Sequence, residues 1–158
     1  MVDCMEYTCG ITGIAHLQNK HIEKVTQQVK EATQQAIHDG YKYFWLAMIG
    51  PSSVHYAAGA KDAMRGYDGL TLEVLIPFHH WHHRQLQPEQ FKQLVSNSSG
   101  FLVATNEPTD NFVMITNNQV LDLATRMIVI NDNKDPETLS ILKIINAIEM
   151  PVNVITLS

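Results

Sequence analysis

The chain has 158 residues, 45% of them apolar and 17% charged, with 11 Lys and Arg against 16 Asp and Glu. That length suits one domain with a buried core, and a net charge of −5 without a basic block excludes a protein that coats DNA or RNA. It leaves room for one small phosphorylated ligand, which needs a local pocket rather than a basic face.

Met1 to Glu6 carries acids where an export signal needs a basic start, and reads as a short flexible lead-in to a single domain spanning 1–158. The first apolar run, Cys9 to Ala15, is short and interrupted, and no stretch of about 18 apolar residues is present to cross a membrane. Cys4 and Cys9 lack the second pair that a metal finger needs. They read as reduced thiols of a cytoplasmic protein rather than as a disulfide.

Strands and helices then alternate. Tyr7 to Gly13 reads as a strand ending in a turn. From about Asn19 to Asp39, Ile22, Val25, Val29, Ala32, Ala36 and Ile37 recur at helical spacing, and Gly40 stops the helix. Tyr43 to Ile49 is a continuous apolar run, the mark of a strand covered on both faces. Within it Tyr43 and Trp45 read as core. Gly50-Pro51-Ser52-Ser53 turns into a short helix through Ala57, Ala58, Ala60 and Met64, broken by Gly66 to Gly69. Leu70 to Ile76 is the third strand, with Glu73 a lone acid of no evident role. Pro88 to Val95 is helical, with proline suited to a first turn, and Phe101 to Ala104 is a fourth strand. Asp110 to Ala124 is helical, Met127 to Ile130 a fifth strand, Pro136 to Ile148 a last helix and Val152 to Leu157 a last strand.

This order predicts an α/β fold: a three-layer, doubly wound, mostly parallel Rossmann-like sheet joined by right-handed crossovers. In such sheets ligands sit beyond the carboxyl ends of the strands, where the strand order reverses. The loops to inspect are Gly13 to Gln18, Gly50 to Ser53 and Asn131 to Thr138.

From Tyr7 to Thr156 the layout resembles the SLOG superfamily, and within it the small stand-alone YpsA-like branch, more in order and spacing than in motifs. Its Thr-Gly-His-Arg after strand one is matched by Thr12-Gly13, followed here by Ile14-Ala15. Its Gly-Gly-Ala-x-Gly-Val-Asp corresponds to Ile49-Gly50-Pro51-Ser52-Ser53-Val54-His55, and its Ile-Pro-Phe to Ile76-Pro77-Phe78. Asn117-Asn118 stands where the family has Arg-Asn, and of Gly-Gly-Thr only Thr138 is kept, in Asp135-Pro136-Glu137-Thr138. The resemblance implies a pocket for a nucleotide or nucleotide-derived ligand, with some relatives cleaving nucleoside monophosphates at the N-glycosidic bond. Those relatives carry an Arg and a Glu on the helix after strand two. Lys61, Asp62 and Arg65 stand there at another spacing, so no catalytic acid is assigned.

The candidate ligand-binding residues are therefore Thr12, Gly13, Gly50, Ser52, Ser53, His55, Asn117, Asn118 and Thr138. Glycine lets a backbone approach a phosphate, and a helix N-terminus supplies free N–H groups. Ser53 reads equally as a helix cap. Asn117-Asn118 reads as a ribose or base contact, or as solvent-facing helix residues. Asp135 and Glu137 suit an unliganded helix dipole but repel phosphate. In His79-His80-Trp81-His82-His83, His79 and His83 share helical spacing as weak metal-ligand candidates. The same run also reads as a ligand-facing loop of titratable charge, or as a solvated loop with Trp81 anchored in the core.

Three functions stand. The first is a binding module for a nucleotide-type ligand that requires no cofactor and pairs with a second copy or a partner. The second is a nucleotide or nucleoside-phosphate hydrolase using His55 or a loop histidine as acid or base. The third is an interaction protein whose ancestral pocket is closed.

Overall fold

The computed structural model describes residues 7–81, 85–105 and 108–157. Within them the strands are β1 (Thr8–Gly13), β2 (Tyr43–Ala47), β3 (Thr71–Ile76), β4 (Gly100–Val103), β5 (Arg126–Asn131) and β6 (Val152–Thr156). The helices are α1 (Asn19–His38), α2 (Ser53–Met64), α3 (Pro88–Asn97), α4 (Phe112–Leu123) and α5 (Pro136–Ala147). The six strands form one sheet in the order β4-β3-β2-β1-β5-β6, and every neighbouring pair is parallel. This is a Rossmann-like three-layer α/β fold.

Parallel strands need helical crossovers, so both faces of the sheet are covered and the strands turn apolar on both sides. Alternate strand residues feed two separate cores. Cys9, Ile11, Phe44, Leu46, Leu72, Val74, Ile128 and Ile130 pack with Val25 and Val29 of α1, Tyr56 and Ala60 of α2, and Leu94 of α3. Ala47, Leu75, Met127 and Val129 face the other way, onto Val120 and Leu121 of α4 and Ile141 and Ile145 of α5. β1, buried at all six positions, is the middle of the molecule. Its residues pair with β2 from Thr8↔Tyr43 to Ile11↔Leu46, and with β5 from Cys9↔Arg126 to Gly13↔Ile130.

The chain therefore steps outward from β1 to β4, returns through α4 to the far side of β1, and continues to β6. Strand order reverses between β1 and β5. Gly13 fits this junction closely, since a Cβ there would lie 2.6 Å from that of Ile130.

Several boundaries differ from the sequence reading for local reasons. β2 ends at Ala47, two residues short of Ile49, because the Ile49 N–H turns back to the Ala47 carbonyl at 3.1 Å. α3 runs to Asn97, opened by the Gln87 N–H donating to Gln90 Oε1 at 2.8 Å. α4 starts at Phe112 rather than Asp110. Tyr43 and Trp45 are only partly buried, Trp45 packing against the α4–α5 core. Glu73 acquires a structural account: its carboxylate lies over Gly100 of β4, where an added Cβ would stand 2.6 Å from Oε2.

Candidate functional site

Beyond the carboxyl ends of β1, β5 and β6 lies a cleft of about 360 Å³ lined by Ile14, His16, Gln18, Lys20, His21, Asp132, Lys134 and Leu157. Four segments build it: the loop after β1, the first turn of α1, the loop after β5 and Leu157 just after β6. This is the point where strand order reverses, the place a doubly wound sheet offers to ligands.

The loop after β1 is stitched into place from below. Ile14 donates its N–H to the Ile130 carbonyl at 3.2 Å, and Ile14's own carbonyl accepts from the Tyr56 hydroxyl at 2.8 Å. The Ser52 N–H donates to the Ala15 carbonyl at 3.0 Å, and the Leu17 N–H donates to Ser52 Oγ. Gly50 permits the approach, since a Cβ there would fall 2.5 Å from the Ala15 carbonyl oxygen. Burial pushes the Tyr56 phenol well above its ordinary range, and the Asp132 and Asp135 carboxylates add to the shift. Tyr56 thus stays a neutral donor supporting the loop.

The loop after β5 holds its own shape. Asn131 Oδ1 accepts the Asn133 N–H at 2.9 Å, while Asp132 Oδ1 accepts the N–H groups of Lys134 and Asp135 at 2.8 and 2.9 Å. Asn133 takes a left-handed backbone, φ 63°, which asparagine tolerates better than most residues. Partial burial pushes the Asp132 carboxyl up, but the backbone N–H donations of Asp135 and Lys134 outweigh it and hold it below the usual carboxylate range. Asp132 is therefore a fixed anion beside Lys134, in a cleft that His16, Lys20 and His21 also line.

The residues expected from the sequence occupy distinct places. Thr12 and Asn117 are brought together, the Thr12 hydroxyl donating to Asn117 Oδ1 in a buried bond that pins α4 to β1. Gly50 and Ser52 serve the loop after β1 as described. Ser53 does not cap α2; its hydroxyl donates to the Ala47 carbonyl at 3.4 Å. The N–H groups of Ser52, Ser53, Val54 and His55 go to the carbonyls of Ala15, Gly50, Pro51 and Ser52, so the first turn of α2 has spent its donors internally. His55 is partly buried, and that burial lowers its pKa and favours the neutral ring. Asn118 is exposed on α4. Thr138 is tied to the α5 cap, its N–H and hydroxyl both donating to Asp135 Oδ2, at 3.0 and 2.6 Å.

None of these nine lines the cleft. The loops after β1 and β5 were legible as its location. Its basic and acidic side chains, His16, Lys20, His21, Asp132 and Lys134, belong to no motif and carry no spacing that singles them out.

His79 is exposed, with its ring centroid 6.4 Å from that of His80, and His83 lies outside the described residues. Trp81 is buried at the end of this segment, as the anchored-loop reading expects. Among the described residues no group of three or more His, Cys, Asp or Glu side chains is placed to hold a metal ion. Among them, too, no helix is long and apolar enough to cross a membrane.

Fold and cleft together define a Rossmann-like α/β protein with a polar, mixed-charge pocket at its switch point. Comparison with protein-family models and with curated proteins finds no match for this chain.

Proposed function

We propose that the chain is a binding module for a nucleotide or nucleotide-derived small ligand, held in the cleft between β1 and β5. The observation that carries this reading is the convergence of Lys20, Lys134, His16 and His21 on one cleft of about 360 Å³ at the sheet's switch point. Such a cluster offers charge-assisted hydrogen bonds to a phosphate. The low overall charge fits too, since one pocket supplies the attraction. The resemblance to SLOG proteins of the YpsA-like branch supports the same ligand class. The spent donors at α2 move the expected phosphate contact away from the family's usual glycine turn and toward these side chains.

Thermal unfolding with AMP, ADP-ribose and NAD tests the reading. A ligand at one hundred times its Kd adds about 2.7 kcal/mol, which for a chain of this size raises Tm by about 5–10 °C. The expected result is such a rise with at least one of the three, at least halved in the Lys20→Ala/Lys134→Ala double variant. No rise with any ligand, or a rise indifferent to the two lysines, overturns it. Chromatography of the same mixtures tests the hydrolase alternative, which requires a product whose formation falls when His55 or a histidine of the His79–His83 run is replaced by Gln.

A further inference from the structure

The two faces of the sheet are covered unequally. Three helices, α1, α2 and α3, pack on one face, while α4 and α5 share the other. Two helices about 10 Å wide fall short of roofing six strands spaced about 4.8 Å apart. The shortfall shows at β6. Val152 and Val154 are 37% and 43% exposed, although their register partners on β5, Met127 and Val129, are wholly buried in the core that Ile141 and Ile145 of α5 complete.

β6 is also the last strand of the sheet, with no strand on its outer side among the described residues. The Met127 N–H donates to the Pro151 carbonyl at 3.0 Å, and the Leu157 N–H to the Asn131 carbonyl at 2.9 Å. The odd-numbered residues of this segment therefore aim their backbone groups at β5. Alternation leaves Val152, Val154 and Thr156 aiming theirs outward. Natural proteins guard such an edge with Lys, Pro, a bulge or an inward-pointing charge. The Val-Asn-Val-Ile-Thr of β6 contains no charged residue and no proline. The opposite edge is better guarded: β4 has four residues, opens on Gly100, and carries the Glu73 carboxylate over that glycine.

We infer that the β6 edge pairs with the same edge of a second copy of this chain, antiparallel about a two-fold axis at Val154, joining two six-stranded sheets into one. Self-complementarity selects this occupant. About that axis Val154 meets its own counterpart, and Val152 meets Thr156 in both directions. These are the residues whose backbone groups aim outward, and directly opposed residues of an antiparallel pair exchange both hydrogen bonds. Every outward N–H and C=O of the strand is then used. The side chains brought together are all β-branched, which suits cross-strand contact, and no charge is buried between them. Another protein's strand offers the same backbone groups, but this match of register, shape and neutrality is one the chain makes with itself.

The groove between α1 and β6, lined by Gln28, Glu31, Ala32 and Gln35, supplies the polar rim usual around an apolar contact. Its one charge, Glu31, is exposed, where water and salt screen it from its counterpart. The area is sufficient but small. A strand of five residues is about 16 Å long and a three-layer molecule about 30 Å thick, so the edge offers about 500 Å² per copy. Two copies bury about 1,000 Å², the threshold for a specific interface and below the standard size of about 1,600 Å². The expected dimer is therefore of micromolar affinity. The two-fold axis sends the two clefts to opposite ends of the joined sheet, so this inference stands apart from the binding reading.

Sedimentation velocity of the full chain across micromolar concentrations, with hydrogen exchange on the same samples, tests it. The wild-type chain is expected to pass from monomer to dimer, and the amides of Val152, Val154 and Thr156 to slow in step with the dimer fraction. Val154→Lys sets two like charges at the axis and is expected to raise the dimer Kd about tenfold or more, with Tm little changed because the side chain is exposed. Leu102→Lys puts the same charge on β4, where Leu102 is 54% exposed, and is expected to leave the dimer intact. A chain that stays monomeric throughout overturns the inference, as does a dimer indifferent to Val154→Lys or broken by Leu102→Lys. Should the Val154→Lys chain fail to fold, the wild-type exchange decides alone: edge amides that exchange equally fast in dilute and concentrated samples overturn it.

Discussion

Arg126 opens β5 at the end of the sheet opposite the cleft and is the most heavily engaged charged side chain described. Its Nη1 donates to Asp39 Oδ2 at 2.7 Å, Nε and Nη2 to Asn153 Oδ1 at 3.3 and 2.9 Å, and its guanidinium lies 5.3 Å from the Tyr41 ring centre. One residue thereby joins the C-terminus of α1 to β5 and β6. The Arg126 side chain is 10% exposed, so the planar fork works with little competing water. The Arg126 hydrogen bond, helped by one from Gln35, holds the Asp39 carboxyl below its ordinary range. A carboxylate depressed in the folded state stabilises the fold above its unfolded pKa, near 4, and that contribution is lost as pH falls through the lower folded value. Asp39→Asn is therefore expected to lower the urea midpoint at neutral pH and to flatten its decline below about pH 4. Identical acid limbs for the two chains would refute the assignment. The thiol of Cys9, the register partner of Arg126 on β1, is pushed up to about 12, chiefly by burial with Arg126 opposing, and is an unreactive packing thiol.

Between elements, the closest approach that sequence periodicity could not show is that of α1 and α2. Gly59 makes it: a Cβ there would stand 2.5 Å from the Thr26 carbonyl oxygen and 3.2 Å from Val29 Cβ. Gly59→Ala gains about 1 kcal/mol of helix propensity. It also drives a methyl into backbone that cannot retreat alone, an overpacking cost of about 1–3 kcal/mol. The collision wins, and the expected outcome is a lower midpoint in chemical denaturation. An unchanged or raised midpoint would mean that the helices separate freely. The elements themselves were readable because their patterns are strong: α1 from its apolar period and the following Gly40, β1 and β5 from short apolar runs between turns. What escaped was set either by a backbone turn that leaves no mark on periodicity or by a partner far along the chain. The end of β2 depends on a local backbone turn, and Glu73 makes sense only beside Gly100, which no periodicity places next to it.

For the molecule as a whole, the reversal of strand order was the most informative deduction, since it named the loops that form the cleft before any side chain was placed. The side chains were not legible for a physical reason. Motif residues such as Thr12, Gly13, Gly50 and Thr138 proved to be joints of the scaffold, bonded to Asn117, packed on Ile130, packed on Ala15 and tied to Asp135. The cleft's charged groups come from segments far apart in the chain, Lys20 and His21 from one, Asp132 and Lys134 from another.

That separation has a kinetic corollary. The pairing of Cys9 with Arg126 closes a loop of roughly a hundred residues, a costly and slow contact compared with the neighbouring crossover to β2. Both walls of the cleft hang on it. In refolding from denaturant, helical signal should return ahead of the nucleotide binding proposed above, which should recover only with the slowest folding phase. Recovery of binding in step with the first helical signal would show the pocket forming without that pairing. The binding proposed for this cleft is in that sense a late product of the chain's own assembly.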